Sequence, residues 1–287
     1  MSGAAKMEQR HKYEYTVDLN DEGHVAGKVV RMVGSNKRVL EIGAGPGSIT
    51  RLLKSVKGCA VTAVELDADA IPYLEPHCER VFQRDLNDAA WLEGLARPDG
   101  YEAIMATDVL EHLLDPWGTL AALKPLLAPE GHVVISLPHA GHNAVIAALL
   151  NGNFRYHDWG LLDRTHIRFF GLQNIADLFI GAGYAIVDVD YVRRAPEATE
   201  LADLWAKLPG RTRVALAESA HGDVYQVVIK ARPQAPGVEG MRRLVPPQGA
   251  RPASRPWERL KAWLRPWLPA PLRQFLMRLL RSLGARP

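Results

Sequence analysis

The sequence predicts an α/β fold built on a doubly wound, mostly parallel sheet, on three observations. Short apolar runs of strand length alternate with helix-period segments through five successive units over roughly residues 36–138. The glycine-rich turn Gly43-Ala-Gly45-Pro-Gly47 follows the first strand at once and runs into a helix. Acids stand at the ends of the next strands (Glu65, Asp85, Asp108), where such a sheet opens its ligand crevice.

Taken in order, Asp21–Val33 reads as a lead-in helix closed by Gly34. Val39, Leu40 and Ile42 form strand one, and Ile49–Val56 the helix after the glycines. Ala60–Glu65 is strand two, and Ala68–Glu75 a helix interrupted by Pro72 and stopped by Pro76. Val81–Leu86 and Tyr101–Asp108 are strands three and four, with Val109–His112 as the turn after the latter. Thr119–Leu127 is helical and Gly131–Pro138 is strand five. His139–Phe170 is dense in aromatics, histidines and arginines, and from Asn151 on it fits no simple period. Leu172–Ala182 returns to a helix, and Tyr184–Val192 and Val224–Lys230 read as strands six and seven.

Composition bounds the rest. The chain has 287 residues, 47% hydrophobic and 23% charged, which is ordinary for a globular protein. Its net charge of +3 hides an asymmetry: residues 231–287 carry twelve Lys/Arg against Glu239 and Glu258, leaving the first 230 residues at −7. An acidic body argues against a nucleic-acid partner, and a basic tail argues for an anionic one. Cys59 and Cys78, with no C-x-x-C pair, suit a reducing cytoplasm. The organisation expected is a domain over 1–230 with an insert at 139–170, a Pro/Arg-rich linker at 231–256, and a basic amphipathic helical tail at 257–287. Within that tail, residues 257–283 alternate Trp/Leu with Arg/Lys at helical spacing, which suits an anionic membrane surface or a groove on a partner protein. Peripheral attachment at the inner face of the cell membrane would follow from the first.

The glycine turn narrows the ligand. Glycines let backbone approach a ligand closely. The dinucleotide spacing G-x-G-x-x-G fails, because Ser48 stands where the third glycine belongs. Glu41 would repel a pyrophosphate but suits a cationic amino group, and Pro46 removes an N–H that a pyrophosphate would use. A nicotinamide-dependent dehydrogenase therefore fits poorly.

Glu41-x-Gly43-x-Gly45-x-Gly47 resembles motif I of the class I S-adenosylmethionine-dependent methyltransferases. Asp108-Val-Leu-Glu-His112 followed by Asp115-Pro116 resembles motif IV of the same family. The resemblance implies a Rossmann-like, seven-stranded sheet whose last strand is antiparallel, with S-adenosylmethionine as cofactor. It places Glu41, Gly43, Gly45, Gly47 and Asp108 at the cofactor, Glu65 on its ribose hydroxyls, Asp85 on the adenine amino group and Leu86 along the ring. The run Gly160–Phe170 resembles bacterial methyltransferases associated with cell-surface glycan biosynthesis, which implies a saccharide or lipid-linked glycan acceptor. Two other readings are a small aromatic or quinone-type acceptor, and a non-catalytic cofactor-binding adaptor in glycan assembly.

A hydroxyl acceptor needs a group to take its proton at the crevice mouth. His112, His139, His142, His157 and His166 all fall in the loops that reach it. His166 is the first candidate, with Asp163 and Arg164 near enough in sequence to orient it, and His139 the second. His139, His142, Asp158 and His166 match no metal-ligand spacing, so no metal site is assigned. Arg155, Arg164 and Arg168 are candidates for gripping an anionic group on the acceptor.

Overall fold

The computed structural model describes residues 23–246. They divide into two compact units, one made of residues 23–141, 156–193 and 224–246, the other of 142–155 and 194–223. The strands are β1 (Arg38–Ile42), β2 (Ala60–Glu65), β3 (Arg80–Gln83), β4 (Tyr101–Thr107), β5 (Leu127–Pro138), β6 (Tyr184–Arg193) and β7 (Val224–Pro233). The helices are α1 (Val25–Val33), α2 (Thr50–Ser55), α3 (Ile71–Leu74), α4 (Pro116–Ala122), α5 (Asn143–Leu150), α6 (Leu172–Gly181), α7 (Ala202–Lys207) and α8 (Gly210–Ala217).

All seven strands join one sheet in the order β3-β2-β1-β4-β5-β7-β6. The first five run parallel, and β7 runs antiparallel to both β5 and β6. The mostly parallel sheet with an antiparallel last strand is thus observed. The central strands are apolar on both faces because helices cover both: Val39, Leu40, Ile42, Ala103, Ile104, Met105 and Ala106 are all fully buried. Parallel β1 and β4 lie side by side, so the strand order reverses between them and opens the crevice at their carboxyl ends.

Local chemistry explains where the element ends depart from expectation. Helix α4 begins at Pro116, earlier than Thr119, because the Asp115 carboxylate accepts the Gly118 N–H at 2.9 Å and proline suits the first helical position. It stops before Pro125. Strand β3 ends at Gln83, so Asp85 and Leu86 lie in the loop beyond it. Strand β7 continues to Pro233, into the segment expected as linker, and Leu244 is buried in the core. The remainder of that linker, 247–256, and the tail at 257–287 lie outside the described residues.

The second unit was legible as a helix at α5, but not at α7 or α8. Its α5, α7 and α8 bring Ala147, Trp205 and Leu208 together, with Leu216 against them. His142 caps α5: its Nδ1 accepts the Ala144 N–H at 3.1 Å, and its Nε2–H donates to the Arg194 carbonyl at 2.8 Å. Burial lowers its pKa to about 4. Among the described residues no helix is long and apolar enough to cross a membrane.

Helix α1 is tied to the far edge of the sheet by charge. The buried Lys28 ammonium lies 2.9 Å from an Asp190 oxygen, and Arg31 pairs with the other oxygen of the same carboxylate. Asp190→Ala leaves Lys28 buried without its counter-charge, and should lower unfolding free energy by about 2 kcal/mol. That lies below the cost for a fully buried pair because Asp190 is partly hydrated. Urea denaturation of the two proteins reads the difference.

Candidate active site

The glycine loop is held at three points. Gly43, Gly45 and Gly47 take φ of +66°, +54° and +80°, in the left-handed region that favours glycine. A Cβ on Gly43 would lie 2.5 Å from the Val109 Cγ2, and one on Gly47 would press on Leu74 at 3.1 Å. A Cβ on Gly45 would meet nothing within 4 Å. Gly43 and Gly47 therefore serve packing as well as turning, whereas Gly45 turns its bare side to open space where a ligand can approach.

Two carboxyl groups underlie the loop. Glu65, at the end of β2, accepts the Gly45 N–H at 2.6 Å on one oxygen, and the Leu66 and Asp67 N–H groups at 2.8 Å on the other. A carboxylate has about four acceptor positions, so it retains room for one hydroxyl donor. Glu41, at the end of β1, is 3% exposed and accepts the Thr50 hydroxyl at 2.6 Å. Burial raises its pKa to about 7 against the pull of that hydrogen bond, and the nearby Glu65 charge adds to the rise.

Asp108 closes the crevice from the β4 side. It is a non-glycine residue with φ +54°, a strained conformation of the sort found where a side chain must be aimed. Its carboxylate accepts the Ser136 hydroxyl and the Gln226 amide, both at 2.6 Å, while its own N–H donates to the Ser136 oxygen at 3.0 Å. Three strands, β4, β5 and β7, are thereby joined at one end. Burial raises the Asp108 pKa, and the two side-chain hydrogen bonds oppose it. Neither Ser136 nor Gln226 carries a motif signal in the sequence. Asp85 is exposed and accepts the Asn87 N–H at 2.9 Å, and Leu86 packs against the main core. Asn87 in turn accepts the Leu114 N–H at 2.8 Å, linking the loops after β3 and β4.

The insert supplies a second polar cluster, and it differs from the expected one. Ile167 and Arg168 donate their N–H groups to the Glu111 carbonyl at 3.0 Å, which lays the insert against the Glu111–His112 turn. The His166 Nε2 then lies 3.8 Å from Glu111 Oε1, and the His112 and His166 rings meet edge to face at 4.7 Å between centroids. His166 is oriented by the Leu161 carbonyl at 3.3 Å from its Nδ1. Asp163 and Arg164, its expected partners, are engaged elsewhere: Asp163 with Thr165 at 2.6 Å and Arg164 with Asp158 at 2.5 Å. Burial first, and the neighbouring His112 charge second, lower the His166 pKa to about 4.

Glu111 is fully buried, and neither carboxyl oxygen has a hydrogen-bond partner. Burial pushes its pKa well up and the charges of Asp108 and Asp163 add to the rise, against the pull of its own backbone N–H, which lies near but outside hydrogen-bond geometry. Sequence reasoning assigned it no role, although it is the glutamate of the quoted D-V-L-E-H turn. His139 is placed differently, 2% exposed, with its N–H donating to the Tyr225 carbonyl at 3.0 Å and its ring against Gly141. It takes no part in the Glu111–His112–His166 group. The arginines expected to grip an acceptor are also engaged: Arg155 with Asp203 at 3.0 Å, and Arg168 with the Leu114 carbonyl and the Trp117 face.

The doubly wound sheet and its glycine loop have the form of the class I S-adenosylmethionine-dependent methyltransferases, and the family match agrees. Residues 18–189, more than half of the chain, match the family model for a methyltransferase domain, and the chain belongs to that family. It is 30% identical over 122 residues to a ubiquinone biosynthesis O-methyltransferase of Aromatoleum aromaticum, covering 42% of this chain and 52% of that one. The corresponding enzyme of Aeromonas salmonicida is 24% identical over 162 residues, covering 56% and 68%. The chain thus spans about half the length of the first of these relatives and two thirds of the second. Among solved structures, a candidate methyltransferase of Bacillus halodurans shares the fold at TM-score 0.50 and 17% identity, over 73% of this chain and 99% of that one. A chain from the Haloferax volcanii complex of the Trm112 methyltransferase activator with its candidate methyltransferase does so at 0.51 and 14%, over 75% and 91%.

The glycines make a paired prediction. Gly43→Ala meets both strain and the Val109 methyl, and should lower stability by about 2 kcal/mol or more. Gly45→Ala meets strain alone, about 1 kcal/mol, but narrows the open side and should lose most cofactor affinity. Thermal melts and calorimetry with S-adenosylmethionine separate the two. Glu41 sets a pH dependence. Its ionised form is favoured above about pH 7, and that form would pair with the cofactor's amino group if Glu41 holds the place that the motif I resemblance implies. Affinity should therefore fall about eightfold from pH 7.5 to pH 6, and Glu41→Gln should flatten that slope while weakening binding at the higher pH.

Proposed function

We propose that the protein transfers a methyl group from S-adenosylmethionine to a hydroxyl of a small aromatic or quinone-type acceptor. The observation that carries the acceptor class is the apolar rim shared by the insert and the segment after β4. Leu114, Trp117, Ile167 and Phe169 are large, and each is more than 40% exposed. Backbone and ring contacts gather them near the Glu111–His112–His166 cluster: Ile167 bonds to Glu111, and Phe169 lies 6.4 Å from the His166 ring. Exposed apolar groups beside a buried polar cluster suit a flat, hydrophobic molecule with one reactive oxygen. The relatives named as ubiquinone biosynthesis O-methyltransferases support the same class. The saccharide acceptor rests on the Gly160–Phe170 run and the basic aromatic tail, and has no counterpart among those relatives.

The cofactor supplies a methyl carbon on a sulfonium, which leaves with its bonding electrons returned to sulfur. Glu41 would hold its amino group, the open side of Gly45 would receive it, Glu65 would accept a ribose hydroxyl, and Asp85 and Leu86 would meet the adenine. Asp108 would act through the strand-end brace. The acceptor's O–H proton is lost as its oxygen takes the methyl carbon, and the chain's task is to hold oxygen and carbon in line. We place the proton loss at His166 and its two neighbours. His139, buried and bridged to Phe170 apart from that group, is assigned to holding the end of the insert.

Assays with S-adenosylmethionine against phenols, catechols and sugar nucleotides test the proposal. Methylation of the phenolic set, reduced at least 100-fold in kcat by His166→Gln with cofactor affinity intact, is expected. Turnover of sugar nucleotides alone would restore the glycan reading. No transfer to any acceptor by a chain that still binds cofactor would favour the adaptor.

A further inference from the structure

We propose that Glu111, His112 and His166 bind one divalent transition metal of the zinc or iron type, with open coordination positions facing the acceptor pocket. Among the described residues this is the one group of three such side chains whose ligand atoms all lie within 4.8 Å of one another.

Two further observations point to a cation. Glu111 is a carboxyl group with no exposed surface and two oxygens that accept no hydrogen bond. A buried carboxyl left that way loses its hydration without compensation, and such groups in native proteins call for an ion, a proton or a water. Both histidines, in addition, are prepared in the same sense. The His112 Nδ1 faces the Thr165 carbonyl at 3.1 Å, and the His166 Nδ1 faces the Leu161 carbonyl at 3.3 Å. A carbonyl only accepts, so each Nδ1 must carry the hydrogen, and in the neutral imidazole each Nε2 then keeps its lone pair. Holding the far ring nitrogen to a backbone carbonyl is how proteins orient metal-bound histidines. These two carbonyls come from within the insert, so the insert supplies both one ligand and the orientation of two.

The donor set selects the metal. Two imidazoles and one carboxylate suit zinc, iron, cobalt or manganese, whereas magnesium and calcium prefer oxygen alone. Three protein ligands leave positions open for a small molecule, which is the pattern of catalytic rather than structural sites. At zinc-ligand distances, tetrahedral ligand atoms stand about 3.3 Å apart. The 3.8 Å between Glu111 and His166 is already near that figure. The widest pair, at no more than 4.8 Å, would close by a side-chain shift of under an ångström at each end. His112 is only half-buried and gives the ion a way in. A metal here would favour the ionised form of an acceptor hydroxyl, and His166 would act as a ligand to it. That consequence rests on the methyltransferase reading, but metal binding itself does not.

The test uses the tag-free full chain, stripped with a chelator. Zinc is titrated by calorimetry, and cobalt by its visible absorption, in the absence of cofactor and acceptor. One equivalent of each should bind, with cobalt bands typical of mixed nitrogen and oxygen ligation. His112→Gln, His166→Gln and Glu111→Gln should each weaken zinc binding at least 100-fold, and His77→Gln, on a distant turn, should leave it unchanged. His112→Gln carries the test if the buried variants do not fold, because that ring is partly exposed. Absence of saturable binding overturns the proposal, as does equal affinity in His112→Gln. Displacement of cobalt by millimolar magnesium overturns the transition-metal assignment. Calorimetry with S-adenosylmethionine on the same samples keeps the two readings apart, since loss of cofactor binding would leave the metal result standing.

Discussion

The carboxylate of Glu65 is the contact on which the rest of the site depends. A glycine loop with three left-handed residues has little intrinsic preference for one shape. Glu65 removes that freedom by taking three backbone N–H groups, one of them from Gly45 in the loop itself. With the loop fixed to the end of β2, Gly43 comes under Val109 and the Thr50 hydroxyl over Glu41. The turn after β4 is thereby set relative to the loop after β1, and the two walls of the crevice become one structure.

The same economy governs the β4 side, where a strained Asp108 spends both carboxylate oxygens on β5 and β7. Glu111, three residues on, has nothing comparable. Two acids on one short turn thus face opposite conditions. One has a hydrogen-bond donor on each oxygen and acts as a brace; the other is buried with no donor on either oxygen, beside two imidazoles held by backbone carbonyls. Function is expected where a buried polar group is left to a ligand, because a protein that needed only stability would have paired it or replaced it.

Much of this was readable from residue order. Strand alternation, the glycine spacing and the acids at strand ends are local patterns, and the first five strands and the loop lie where they imply. The misplacements were local too: Asp115 starts α4 early by capping it, and β3 is too short to include Asp85. The helices of residues 194–223 escaped because their apolar periods are weak and short. The insert escaped for another reason. Its backbone bonds to the Glu111 turn, some fifty residues earlier in the chain, and no periodicity encodes such a pairing.

By itself, then, the sequence determined the fold class, since that depends on spacings of a few residues that steric rules convert directly into backbone shape, and the resemblance of its motifs to a known family pointed to the cofactor. Tertiary structure alone decided which polar groups share a site. His166 meets Glu111 and His112 instead of Asp163 and Arg164, and His139 is set apart from them. Burial, which no residue carries in its own identity, is what turned the unremarked glutamate of the D-V-L-E-H turn into the group most in need of a partner.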